Sequence, residues 1–105
     1  MHTVKIMNEF LHGAIWVYED GVPSSWEKID ADPILSDLNR QTKELYASYF
    51  DFDANGESCS FNEALEREPK NEMLDLIGKI LKRLHELNNG DFEVEDYETG
   101  RLAAL

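Results

Sequence analysis

The string Asp51-Phe52-Asp53-Ala54-Asn55-Gly56 is the stretch whose residue types and spacing come closest to a known ligand-binding loop. It matches the first six positions of an EF-hand calcium loop, with three oxygen ligands and the glycine at which that loop turns sharply. The rest does not fit, because Asn62 stands where a bidentate glutamate belongs, and Glu63 comes one residue late. A carboxylate displaced by one residue points about 100° away around a helix. We therefore expect a polar connecting loop, with a degenerate calcium-binding site as an alternative.

The other residues that commonly do chemistry are scattered. His2, His12 and His85 show none of the spacings typical of zinc ligands. Cys59 is the only cysteine, which excludes an internal disulfide, and no pattern places a histidine base beside it. Carboxylate pairs are frequent, but in a chain with 22 acidic residues they carry no acid–base specificity. We expect no catalytic residues, no metal and no cofactor.

The charge balance is more informative than any motif. The 105 residues include 22 acidic and 10 basic ones, which gives a net charge of −12. Such a surface repels nucleic-acid phosphates and anionic lipids, so we expect neither nucleic acid nor membrane as a partner. The same field attracts basic proteins. The longest apolar run, residues 14–18, is far below the roughly 20 residues of a membrane span, and we expect a soluble, cytoplasmic protein.

The densest acidic stretch lies near the C-terminus, between Glu86 and Arg101. Strand alternation there places Glu93, Glu95 and Tyr97 on one face, where an aromatic anchor among carboxylates suits a cationic protein surface. A solvated strand face without a partner is the alternative. Trp26 either caps the edge of the core or is exposed for a partner. The candidate partner-binding residues are Trp26, Asp91, Glu93, Glu95, Asp96, Tyr97 and Glu98.

The hydrophobic pattern predicts the elements that carry these residues. Alternation over 3–10 and the β-branched and aromatic run at 14–18 predict a hairpin, with Gly13 in its connection. Asp32 and Pro33 predict the start of a helix of about 17 residues. A wide apolar stripe predicts a second helix over 71–87.

Two further elements complete the prediction. A short helix opens at Ser60 and ends near Pro69, and the alternation over 92–97 predicts a third strand. The expected fold is α+β: a single domain, 1–105, with an antiparallel sheet of about three strands, the N-terminal hairpin plus the C-terminal strand, packed against two main helices. The sequence leaves the strand order open.

Three segments, 12–21, 49–53 and 88–99, together with the leucine-rich helix between the last two, carry a resemblance. The chain resembles the small acidic immunity proteins of bacterial contact-dependent growth inhibition and related polymorphic toxin systems. The resemblance implies a cytoplasmic protein that neutralises a cognate toxin C-terminal domain, often a basic nuclease, in a 1:1 complex. It carries over no individual binding residue. An acidic interaction or adaptor module unrelated to toxins remains an alternative.

Overall fold

The computed structural model describes residues 2–9, 12–52, 59–61 and 63–105, and over these ranges the fold is α+β. The strands are β1 (His2–Ile6), β2 (Ile15–Glu19), β3 (Val22–Pro23), β4 (Phe50–Phe52), β5 (Cys59–Phe61) and β6 (Phe92–Asp96). The helices are α1 (Glu27–Asp30), α2 (Pro33–Ala47), α3 (Glu63–Arg67), α4 (Lys70–Leu87) and α5 (Thr99–Ala103).

The main sheet has four strands in the order β3-β2-β1-β6. The predicted N-terminal hairpin is confirmed: β1 and β2 are antiparallel, and Val4 lies opposite Val17. Gly13, in the connection, has a φ of +94°, and Asn39 Oδ1 lies 2.5 Å from where a Cβ on it would stand. A side chain at position 13 would clash with Asn39 and would disfavour the positive φ. Glycine at this position therefore allows α2 to pack directly against the connection.

The expected sheet of the N-terminal hairpin plus the C-terminal strand is present, but it is mixed instead of antiparallel and has four strands instead of about three. The C-terminal strand β6 runs parallel to β1, with Val4 beside Val94, and a fourth strand, β3, extends the other edge. Alternation in a sequence shows which side chains share a face but not the direction of the strand. After α4 the chain enters the sheet beside the start of β1, where Phe92 pairs with His2, and β6 then runs in the same direction as β1.

The two main helices cover one face of this sheet. Asp32 caps α2, as predicted, because its carboxylate accepts the backbone N–H of Leu35 at 2.9 Å. The helices then bury their apolar stripes against the alternating inward residues of the strands. The core includes Val4, Ile6, Val17, Leu35, Leu38, Met73, Ile77, Ile80, Leu84, Phe92 and Leu102.

The segment between α2 and α4 differs from expectation. A second, two-stranded sheet pairs β4 with β5, with Phe50 opposite Phe61, where the sequence predicted a loop leading to a helix. The short helix exists, but it begins at Glu63, after β5. Residues 53–58, which form the middle of the candidate calcium loop, lie outside the described residues.

Candidate protein-interaction surface

The face of the main sheet opposite the helices carries a mixed aromatic and acidic surface. Val4 and Ile6 point into the core, so Thr3 and Lys5 point the other way. In the strand register, Lys5 lies between Trp16 and Glu95. Thr3 lies between Tyr18 and Glu93. None of these side chains is buried. We call this surface the open face; it comprises Thr3, Lys5, Trp16, Tyr18, Glu93, Glu95, Tyr97 and, packed beside them, His12.

The rings of the open face are held in place by their neighbours. The His12 ring stacks on Trp16 with centroids 3.6 Å apart and planes 9° from parallel. Trp16 Nε1–H donates to the carbonyl of Met7 at 2.9 Å. The Lys5 ammonium lies 4.5 Å from the centroid of the Tyr18 ring, a cation–π contact. Rings fixed in this way lose little conformational entropy when a partner covers them.

The structure confirms the prediction that Glu93, Glu95 and Tyr97 lie on one face of the strand and its continuation. Glu93 is exposed, and the Tyr97 ring is 50% exposed. The Tyr97 hydroxyl donates to Glu95 Oε1 at 2.6 Å, and this hydrogen bond is the main reason that the pKa of Tyr97 is raised. The phenol therefore keeps its proton at neutral pH and holds the Glu95 carboxylate at the surface.

Asp91 and Asp96 lie at the two ends of β6 and have local partners. Asp91 pairs with Lys28, whose ammonium lies 2.6 Å from Oδ2, and this contact lowers the pKa of the Asp91 carboxyl. Asp96 Oδ1 accepts the backbone N–H groups of Glu98 and Thr99 at 2.9 and 3.1 Å. Asp96 thus holds the turn into α5. Neither residue belongs to the open face.

Glu98 requires a correction, because it is not a surface acid. Its residue is 5% exposed, and its carboxylate accepts from the Arg101 guanidinium at 2.6 Å and from the backbone N–H of Asn8 at 2.8 Å. The same guanidinium makes two hydrogen bonds, at 2.8 and 2.7 Å, to Glu66, which is fully buried. Burial of the two carboxylates beside one arginine makes Glu98 part of the interior, with no surface left for a partner.

Of the two alternatives for Trp26, the structure has the one in which it caps the edge of the core. Its ring stacks on His2 with centroids 3.9 Å apart and meets Phe92 edge-on at 5.6 Å. Lys28 places its ammonium 5.6 Å from the same ring. Trp26 is half-buried and lies on the helix-covered side of the sheet, away from the open face.

The sequence analysis missed the contribution of β2 to the open face. Trp16 and Tyr18 flank the buried Val17, so alternation alone assigns them to the outward face. The run from 14 to 18 is apolar on both faces, so its pattern predicts a strand but does not show which face is exposed. His12 had no sequence signal, because its stack on Trp16 depends on the turn.

Other chemistry has no matching arrangement among the described residues. They contain no cluster of three or more side chains that could hold a metal ion. Two depressions, of about 130 and 330 Å³, are lined by neither histidine nor cysteine. His85 is exposed on α4, and Cys59 lies in β5. Among the described helices, none is long and apolar enough to cross a bilayer.

Comparison with known proteins adds no assignment to this geometry. No protein-family model, no curated protein sequence and no solved structure matches the chain.

Proposed function

We propose that this chain is an immunity protein of a bacterial contact-dependent growth inhibition or related polymorphic toxin system. It binds a basic toxin domain, by preference a nuclease, in a 1:1 complex in the cytoplasm and neutralises it by covering it. The observation that carries the proposal is the open face: fixed aromatic rings beside Glu93 and Glu95 on a molecule with a net charge of −12.

The chemistry of a nuclease makes such a surface an effective inhibitor. A nuclease needs positive charge around its cleft to bind phosphates. Carboxylates can bind these positively charged side chains in place of the phosphates of nucleic acid. Aromatic side chains supply the buried contact area from which most of the binding energy comes. The open face offers both, and Tyr97 joins them because its ring is half exposed and its hydroxyl holds Glu95.

The test is association with the toxin domain encoded beside this gene. The double variant Glu93→Gln/Glu95→Gln removes two charges from the open face, whereas Glu68→Gln/Glu72→Gln removes two from exposed positions on the helical side. Each variant has two negative charges fewer than the wild type, so its net charge is −10 instead of −12. Steered association reaches about 10⁸ M⁻¹s⁻¹ at low salt, and we expect the first variant to slow it about tenfold and the second far less.

Stopped-flow fluorescence measures both rate constants, and co-expression with the toxin measures protection of cells. Equal slowing by the two variants would mean that only total charge matters and that the open face is not the interface. If the chain neither bound the toxin domain nor protected cells, the proposed immunity function would be wrong. A stable complex with an unrelated protein in place of the toxin would favour the adaptor alternative.

A further inference from the structure

The two edges of the main sheet are not equivalent. On one side the sheet ends with β3, a strand of two residues whose second member, Pro23, has no N–H to offer. On the other side it ends with β6, which pairs with β1 along all five of its residues. Short strands and proline discourage further pairing at an edge, so β6 is the edge at which the described sheet can grow.

The hydrogen-bond pattern shows which backbone groups β6 presents at this edge. The Tyr97 N–H donates to the carbonyl of Ile6 at 3.0 Å, so alternation directs the N–H and C=O groups of Glu93 and Glu95 toward β1. The N–H and C=O groups of Val94 and Asp96 then point outward. At the beginning of the strand the carbonyl of Phe92 also points outward, and it accepts a hydrogen bond from the side-chain amide of Asn88 at 3.1 Å.

We propose that an extended segment of the partner protein adds to β6 as a further strand of the sheet. This inference rests on the proposed function and specifies how the toxin domain is held. Main-chain hydrogen bonds to Val94 and Asp96 supply affinity, and alternate side chains supply specificity. Residues of the added strand beside Glu93 and Glu95 are lysine or arginine, and those beside the half-buried Val94 are apolar.

Charge selects this occupant over a second copy of the chain. Two β6 strands paired edge to edge around a two-fold axis at Val94 would set Glu93 of one copy opposite Glu95 of the other, and Glu95 opposite Glu93. Like charges opposite one another destabilise a strand pair, whereas opposite charges stabilise it. The acids of β6 therefore protect the edge against self-association and leave it open to a basic strand.

A backbone substitution tests the edge without altering any side chain. Cys59 allows the full chain to be assembled by ligation of residues 1–58 to a synthetic 59–105 segment carrying N-methyl-Val94. The methyl group removes the outward N–H and blocks close approach of another strand, while the bonds to β1 remain. The matched control is the same ligated chain without the methyl group. Both are titrated with the toxin domain encoded beside the gene.

We expect both chains to unfold at the same temperature and the N-methyl chain to bind the toxin domain at least about tenfold more weakly. Amide hydrogen exchange of the unmodified complex gives a second readout, in which the Val94 and Asp96 amides become protected on binding. Equal affinity of the two chains together with unprotected amides overturns the edge inference and leaves the immunity function standing. Failure of the control chain to bind overturns both. A dimer of the free chain in sedimentation would overturn the choice of occupant.

Discussion

Two glutamates near the C-terminus show how little residue type alone says about role. Glu95 and Glu98 are three positions apart in the same acidic stretch. Glu95 lies on the open face and accepts from Tyr97, whereas Glu98 is buried against Arg101. The difference arises because β6 ends at Asp96 and the chain turns into α5, so strand alternation no longer applies beyond that point. Only the three-dimensional end of the strand separates an acid on the open face from a buried one.

Trp26 and Tyr97 are both candidate partner-binding residues of the sequence analysis, and alanine substitutions separate their roles. Trp26→Ala removes the stack on His2 and the contact with Phe92, and we expect a loss of about 2 kcal/mol in the free energy of unfolding. Tyr97→Ala removes a half-exposed ring and should change that free energy by less than about 0.5 kcal/mol. Because hot spots are often tyrosines, Tyr97→Ala should weaken toxin binding at least about tenfold.

Urea denaturation gives the free energies, and calorimetric titration with the toxin domain gives the affinities. Each variant is the control for the other, since each removes one aromatic ring. If Tyr97→Ala left the affinity unchanged while the folded Trp26→Ala variant lost it, the binding surface would lie at the edge of the core around Trp26.

At the scale of elements, Asp32 joins the two main helices. It caps α2 through Leu35, and it pairs with Arg83 of α4 through contacts of 2.6 and 3.1 Å. Asp32 is 8% exposed, and the hydrogen bonds from Arg83 are the main reason that the pKa of its carboxyl lies below its ordinary value of 3.8. The charged form is therefore favoured by folding.

The pH dependence of stability follows from that direction. A carboxyl whose pKa is lowered in the folded state contributes stability above its unfolded pKa, and the contribution is lost as the pH falls through the folded value. Asp32→Asn retains a good cap residue but loses the charge opposite Arg83, so we expect it to cost about 1–3 kcal/mol at pH 7. The difference from wild type should shrink below pH 3.8.

Urea denaturation of both proteins between pH 7 and pH 3 measures that difference. Asp37→Asn is a suitable control, because Asp37 also lies on α2 and pairs with an arginine, Arg40, but both side chains are more than half exposed. It should cost little at any pH. A constant difference between wild type and Asp32→Asn across the range would mean that the charge of Asp32 does not couple α2 to α4.

The elements that the sequence predicts well are those whose signals are local. The first hairpin, the cap at Asp32 and the helix ending at Leu87 depend on alternation, capping chemistry and an apolar stripe within one segment. The direction of β6 and the pairing of β4 with β5 depend on contacts between distant segments, and no local pattern encodes them.

The same limit applies to the open face. Glu93, Glu95 and Tyr97 share one strand and its continuation, so alternation groups them correctly. They belong to one surface with Trp16 only because β1 lies between β2 and β6, with Lys5 in register with both neighbours. A surface assembled from three strands is therefore predictable in parts, and its composition becomes visible only when the strand order is known.

At the scale of the whole molecule, the net charge of −12 acts on folding and on binding with opposite signs. In the folded state the acids are closer together than in the unfolded chain, so their mutual repulsion lowers stability. In an encounter with the proposed basic toxin domain, we expect the same charges to accelerate association. Salt screens both effects, since the Debye length falls from about 30 Å at 0.01 M to about 10 Å at 0.1 M.

Raising NaCl from 0.01 to 0.3 M should therefore raise the unfolding temperature of the free protein and slow its association with the toxin domain at least about tenfold. Thermal unfolding and stopped-flow mixing measure the two quantities on the same samples. Glu93→Gln/Glu95→Gln is the control, because loss of two charges at the proposed interface should flatten the salt dependence of association while leaving that of unfolding nearly unchanged. Association that did not slow with salt would mean that the acidic surface does not steer the partner, since screening acts on every exposed charge and would weaken steering wherever the toxin docks.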